Sequence, residues 1–333
     1  MQQRLFGRLA GGEDVHLYIM ENESARLTLS DRGATVVGFE VGGVDIAGGF
    51  DTLEDYIADD SHQGGIIGRV ANRVGGARFT MDGEEYRLPD NDNGNCLHGG
   101  CGYDRRMWQL EELSDERAVF TLVDPDGCEG FPASLTVRVS YTLSGSSLRI
   151  DYEAAPDGKT PVSLTNHVYF NLCGFGGDIL SHRVKIYADR YTEVGDDLIP
   201  NGNRPAVAGT PFDFNEAKKI GRDLSEELTG YDHNYILRGD ITEEFCGKEL
   251  KLAAEVWGGE LKMRVFCDRD GVQFYTGNFL GEGPDFKGGV KQIKHGAFCL
   301  ETQSEPNCIN RGEGFFHKGE VYRHTCVYEI EKL

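Results

Sequence analysis

Apolar and polar residues alternate with a period of two along most of this chain. Leu135, Val137, Val139, Tyr141 and Leu143 are separated by Thr136, Arg138, Ser140 and Thr142. After a Ser-Gly-Ser-Ser turn, Leu148, Ile150 and Tyr152 alternate with Arg149 and Asp151. Alternation broken by a glycine turn predicts a half-buried antiparallel hairpin. Phe79 and Met81, then Asp82-Gly83, then Tyr86 and Leu88 predict a second, because Asp-Gly suits a two-residue hairpin turn. Leu261, Met263, Val265 and Cys267, turning at Asp270-Gly271 into Val272, Phe274 and Thr276, predict a third. Tyr322, His324, Cys326, Tyr328 and Ile330 predict a final strand. Helical periodicity is poor, and only residues 53–59 and 216–228 could hold a few turns. Many short strands with few helices imply stacked sheets or a barrel. The 45 glycines suit a chain of many tight turns. Neither a repeat nor a linker interrupts the 333 residues. The expectation is an all-β fold, a large antiparallel β-sandwich in which residues 1–333 form a single domain.

Charge narrows the partners. Lys and Arg number 34 against 55 Asp and Glu, a net charge of −21. That balance disfavours nucleic acid, whose binding rests on cations neutralising phosphates, and anionic membrane surfaces. No segment approaches the roughly 20 apolar residues of a spanning helix. The start of the chain lacks the apolar stretch of a signal peptide. The nine cysteines are scattered, with no CxxC pair, which suggests reduced thiols in a cytoplasmic protein.

The common signatures of phosphate loops, dinucleotide sites and nucleophile elbows are missing. Asp90-Asn91-Asp92-Asn93-Gly94 resembles a calcium loop, but its glycine falls one place early and no Glu occupies the twelfth position. Cys96, His98 and Cys101 fit no common zinc spacing, so no metal site is expected. What remains is a set of polar clusters at the ends of probable strands: Gly68–Arg73, Asn95–Gly100, Asn166–Asn171, Tyr231–Asn234 and Glu301–Gln303. Any one of these reads more readily as hydrogen-bonded scaffolding than as chemistry. Together they supply the Asn, Arg, His and Asp donors and acceptors that a polyhydroxylated ligand would match.

Taken in order, these clusters resemble the aldose 1-epimerase (galactose mutarotase) family. The resemblance rests on Gly68-Arg69-Val70-Ala71-Asn72-Arg73, Leu97-His98-Gly99-Gly100 with Trp108, Thr165-Asn166-His167-Val168-Tyr169-Phe170-Asn171, Leu198–Gly202, Thr210–Phe214, Tyr231-Asp232-His233-Asn234, Gln273–Asn278 and Leu300-Glu301-Thr302-Gln303. It covers nearly the whole chain. It implies the same β-sandwich, no cofactor, a free monosaccharide as the partner, and a chain acting as monomer or homodimer. By resemblance Glu301 is the general base and His167 the general acid, while Asn72, Arg73, His98, Asp232 and Gln273 bind the sugar. Departures are few. The Asp268–Gly271 turn, where the family usually has proline, precedes Gln273 and could shift it.

Those residue types suit anomer interconversion. A base takes the proton of the anomeric hydroxyl while an acid protonates the ring oxygen, help typically worth about 10²–10⁴-fold. The expectation is an ionised Glu301 opposite a charged His167, with Asp232 favouring the imidazolium. Three other readings stay open from the residues. An epimerase of phosphorylated hexoses would carry extra cations in its site. A glycoside hydrolase would use Asp232 and Glu301 as its carboxylates. A non-catalytic sugar-binding protein would have kept only the fold.

Overall fold

The computed structural model describes residues 2–333. Every ladder between its named strands is antiparallel. The expected β-sandwich is what they build. A five-stranded sheet runs in chain order from Gln2–Arg8 to Val44–Asp45. A ten-stranded sheet is centred on Leu135–Ser144, Ser147–Pro156, Tyr322–Lys332 and Leu261–Cys267. A four-stranded sheet is ordered Ala188–Tyr191, Asp232–Leu237, Gly271–Tyr275, Cys299–Gln303. Inward residues of all three sheets meet in one apolar cluster that includes Leu27, Val139, Ile150, Val265, Phe274 and Leu300.

Two expected hairpins form where the turn chemistry asks for them. Leu135–Ser144 pairs with Ser147–Pro156 through a turn at Gly145 and Ser146. Arg78–Met81 pairs with Glu84–Arg87, and Asp82 and Gly83 both take positive φ (53° and 85°), as a two-residue turn between twisted strands requires. The C-terminal strand lies in the middle of the large sheet, between Ser147–Pro156 and Leu261–Cys267.

Two other expectations fail. Leu261–Cys267 and Gly271–Tyr275 are adjacent in sequence but belong to different sheets, so the third hairpin does not exist. Asp268 directs the crossing. Its carboxylate contacts His324 Nδ1 at 2.6 Å and accepts from the Thr325 backbone N–H at 3.1 Å and from Lys248 Nζ at 2.7 Å. These contacts tie the end of the strand to the large sheet before the chain leaves it. The second helical candidate is also absent. Residues 216–228 hold the short strand Lys218–Lys219 and a 3₁₀ turn at Ile220–Asp223. Lys218 Nζ bonds Asp223 at 2.6 Å inside this segment, and Gly221 sits where a Cβ would lie 3.0 Å from that of Leu180. The first candidate does form, as Leu53–Ala58 capped by the Thr52 side chain.

Candidate active site

The four-stranded sheet sets the acidic wall of the site by register. Gln273 lies directly opposite Glu301, and Asn234 directly opposite Gln273. Directly opposed residues share a face, as do residues two apart on one strand. Asp232, Gln273, Tyr275 and Glu301 therefore point the same way. Their neighbours Phe274 and Leu300 point into the apolar core. The Asp268–Gly271 turn does not displace Gln273, whose Nε2 donates to Asp232 Oδ1 at 2.7 Å.

The basic wall comes from short segments at the sandwich edge. Arg73 pairs with Leu97 in a two-residue ladder, which brings Asn72 beside His98. The Asn72 backbone N–H donates to His98 Nδ1 at 3.2 Å. Asn72 and His98 both take left-handed φ (60° and 54°), a costly conformation that clusters at functional sites. His167 follows the pairing of Asn166 with Ile66 and is held by its N–H bond to the Gly65 carbonyl at 3.0 Å.

The two walls enclose a cleft of about 610 Å³ whose lining includes Asn72, Arg73, His98, His167, Asp232 and Glu301. Gln273 adjoins this lining through Asp232, to which its Nε2 donates. His167 Nε2 stands 3.8 Å from Glu301 Oε1, while its Nδ1 lies 3.5 Å from Cys299 Sγ. Arg73 Nε bonds Asp92 at 2.6 Å, and its Nη1 reaches Asp232 at 3.8 Å. Asp92, dismissed above as a calcium ligand, is the anchor of Arg73. Glu301 Oε2 and Gln273 Oε1 are buried with no hydrogen-bond partner among the described residues. A buried acceptor left in this way is costly, and a ligand rich in hydroxyls would satisfy it.

Burial works against the expected charge states. Burial and then the charge of Asp232 push the Glu301 carboxyl well above the usual range, against the pull of Arg73. Burial and then the charge of His62 push the His167 imidazole down to about 3. Both shifts favour the uncharged forms of the two groups over the ion pair anticipated. Asp232 is also raised, by burial, with Arg73 and the Gln273 bond opposing. Its charge is opposed by burial and supported by Arg73 and Gln273, and it acts on Glu301. His98 is lowered by burial and then by the neighbouring imidazoles and Arg73. With Nδ1 accepting from Asn72, neutral His98 presents its Nε2–H as a donor.

Several lining residues were not singled out from sequence: Ser61, His62, Tyr169, Tyr275 and Phe279. The last is 73% exposed at the mouth. Their signals are weak, because aromatic residues on strands are ordinary core material. The atoms of His98, His167 and Glu301 that could ligate a metal lie within 4.8 Å of one another. His98 thus groups with the cleft and not with Cys96 and Cys101. Among the described residues Arg73 is the one Lys or Arg in the lining, with no second cation there for a phosphate.

Fold and cleft together define a β-sandwich protein in which a buried imidazole faces a buried carboxyl group in a polar pocket. The comparisons with known proteins agree. The chain matches the aldose 1-epimerase family over residues 16–329. It is 39% identical to a galactose mutarotase of Bos taurus across 98% of this chain and 97% of the relative. It is 34% identical to an aldose 1-epimerase of Escherichia coli (strain K12), across 96% of each. The crystal structure of a galactose 1-epimerase from Lactobacillus acidophilus NCFM superposes with a TM-score of 0.87 at 26% identity, covering 99% of this chain and 98% of that one. The chain belongs to the aldose 1-epimerase family, enzymes of the isomerase class that interconvert the anomers of aldoses.

Proposed function

We propose that this protein interconverts the α and β anomers of free aldoses of the glucose and galactose type, with Glu301 as base and His167 as acid. The observation that carries this reading is the 3.8 Å approach of His167 Nε2 to Glu301 Oε1 across a cleft of pyranose size, with a second carboxylate and Arg73 beside it.

In this mechanism the buried pair shares one proton, and the chemistry turns on where it sits. Sugar hydroxyls donating to the Glu301 carboxylate favour its ionised form, and the proton then resides on His167. Glu301 takes the proton of the anomeric hydroxyl, and the C1–O5 electron pair leaves to O5. O5 takes the His167 proton. The open aldehyde turns about C1–C2, and the steps reverse on its other face. Ring opening removes both charges and leaves protonated Glu301 with neutral His167, the state that burial already favours in the empty cleft. Desolvation therefore works for the opening step. Asn72, Arg73, His98 and Asp232, the last aimed by Gln273, hold the ring hydroxyls so that only C1 moves.

No helix among the described residues is long and apolar enough to cross a membrane. All nine cysteines are free, which supports a reducing, cytoplasmic setting. The common apolar cluster, drawing on residues from Tyr18 to Ile330, supports one domain. Polarimetry of freshly dissolved α-glucose, α-galactose and xylose tests the activity. The protein should bring at least one of them to anomeric equilibrium well ahead of buffer. Relaxation at the buffer rate for all three would reject the reading, and release of sugar from a chromogenic glycoside would favour a hydrolase.

A further inference from the structure

His62 is a cleft residue that the proposed reaction does not use. It takes a left-handed φ of 60° and borders the pocket beside the reacting pair. Its ring meets His98 edge-on at 4.8 Å between centroids and lies 6.0 Å from His167. Its Nδ1 is 2.9 Å from the carboxylate of Asp104, which is 6% exposed. With Nδ1 engaged there, Nε2 is the polar atom His62 has left for a ligand.

Asp104 is placed with unusual closeness. A Cβ on Gly65 would meet the Asp104 Cβ at 2.4 Å, one on Gly102 its Oδ1 at 2.3 Å, and one on Gly33 its carbonyl oxygen at 2.3 Å. Three bare backbone positions thus make the slot that Asp104 fills. Burial opposes its ionisation, yet His62, Arg105 and Arg32 hold its carboxyl below the usual value. A buried carboxylate aiming an imidazole at a pocket is an arrangement that fixes both ring orientation and tautomer. Around His62 the other ionisable groups are Asp59, His98 and His167.

We propose that His62, aimed by Asp104, is a further specificity-determining residue that bonds one ring hydroxyl of the bound sugar through Nε2. The inference rests on the anomerase reading above, since it needs a sugar in this cleft. Its test separates the two. Wild-type protein is first assayed by polarimetry on glucose, galactose and xylose, where relaxation no faster than buffer for all three sinks the anomerase reading itself. KM and kcat are then measured for galactose and for its 2-, 3-, 4- and 6-deoxy analogues in wild type, His62→Phe and His62→Gln. Loss of one hydrogen bond to a charged or oriented partner corresponds to about a tenfold change. His62→Phe should raise the galactose KM about tenfold with kcat changed little, and His62→Gln should recover part of it. One deoxy sugar should bind wild type less well yet lose nothing further in His62→Phe. A KM within twofold of wild type in the folded variant, or the same added loss for every deoxy sugar, overturns the proposal. If His62→Phe does not fold, the same pattern is read from His62→Leu, which also lacks a donor.

Discussion

Arg69 and Arg73 lie four residues apart in one motif and have opposite fates. Arg69 is 1% exposed and fully engaged. Its guanidinium donates to Asp124 Oδ2 at 2.6 and 2.9 Å, to Thr160 Oγ1 at 2.9 Å and to the carbonyls of Pro132 and Ala133. Asp124 is also bonded by Tyr103 and Arg106. Burial opposes its charge, but Arg69 holds its carboxyl below the usual range. Arg73 has one short bond, from Nε to Asp92, and its Nη1 only approaches Asp232. The rest of its fork faces the cleft. The same residue type is closed into scaffold in one case and left open to a ligand in the other. The difference lies in how many donors the protein itself satisfies.

That contrast can be broken from either side. Arg69→Met leaves the buried Asp124 to Arg106 and Tyr103, and losing its charged hydrogen bonds to Arg69 costs about 1.5–3 kcal/mol or more. Urea unfolding should show that loss, with any folded protein keeping its KM. Arg73→Met should do the reverse. Its unfolding midpoint should move little, while KM rises about ten- to a hundredfold, as expected from losing a charged hydrogen bond worth about 1.5–3 kcal/mol. A variant at 73 that unfolds early with normal KM would erase the distinction.

A smaller effect concerns pH. The profile of kcat/KM reports the free enzyme. There the pair carries one proton. A second enters only at His167, which is held near about 3, and the shared one leaves only as the raised Glu301 carboxyl ionises. The acid limb should therefore fall well below the ordinary imidazole value of about 6.5, and the alkaline limb above the ordinary carboxyl value of about 4.3. A single limb near pH 6.5, activity rising as the pH is lowered through it, would point instead to a solvated imidazolium.

Much of this was legible in the chain, for reasons that can be named. Asp82-Gly83 and the 135–152 alternation are local instructions, and both hairpins formed. The alternation around 261–276 was just as clean, yet its halves went to different sheets. Period two fixes which face a residue uses, not which strand it joins, and the Asp268 contacts that decide this come from residues some 56 positions away. The shared face of Gln273 and Glu301 follows from alternation once the pairing is known. Their roles were readable only through resemblance to a family. The direction in which burial moves His167 and Glu301 was not foreseen, because burial, the largest influence on both, is not written in a motif. His62 was invisible for a similar reason, since its partner Asp104 is brought to it by the chain's packing against three glycines.

The central claim is that one proton, shared by Glu301 and His167, opens the sugar ring. The most direct measurement is the polarimetric turnover of α-galactose by Glu301→Gln and His167→Asn, each checked for a native unfolding midpoint. Each should turn over about 10²–10⁴-fold more slowly than wild type. Turnover near that of wild type in a well-folded Glu301→Gln protein would contradict the account.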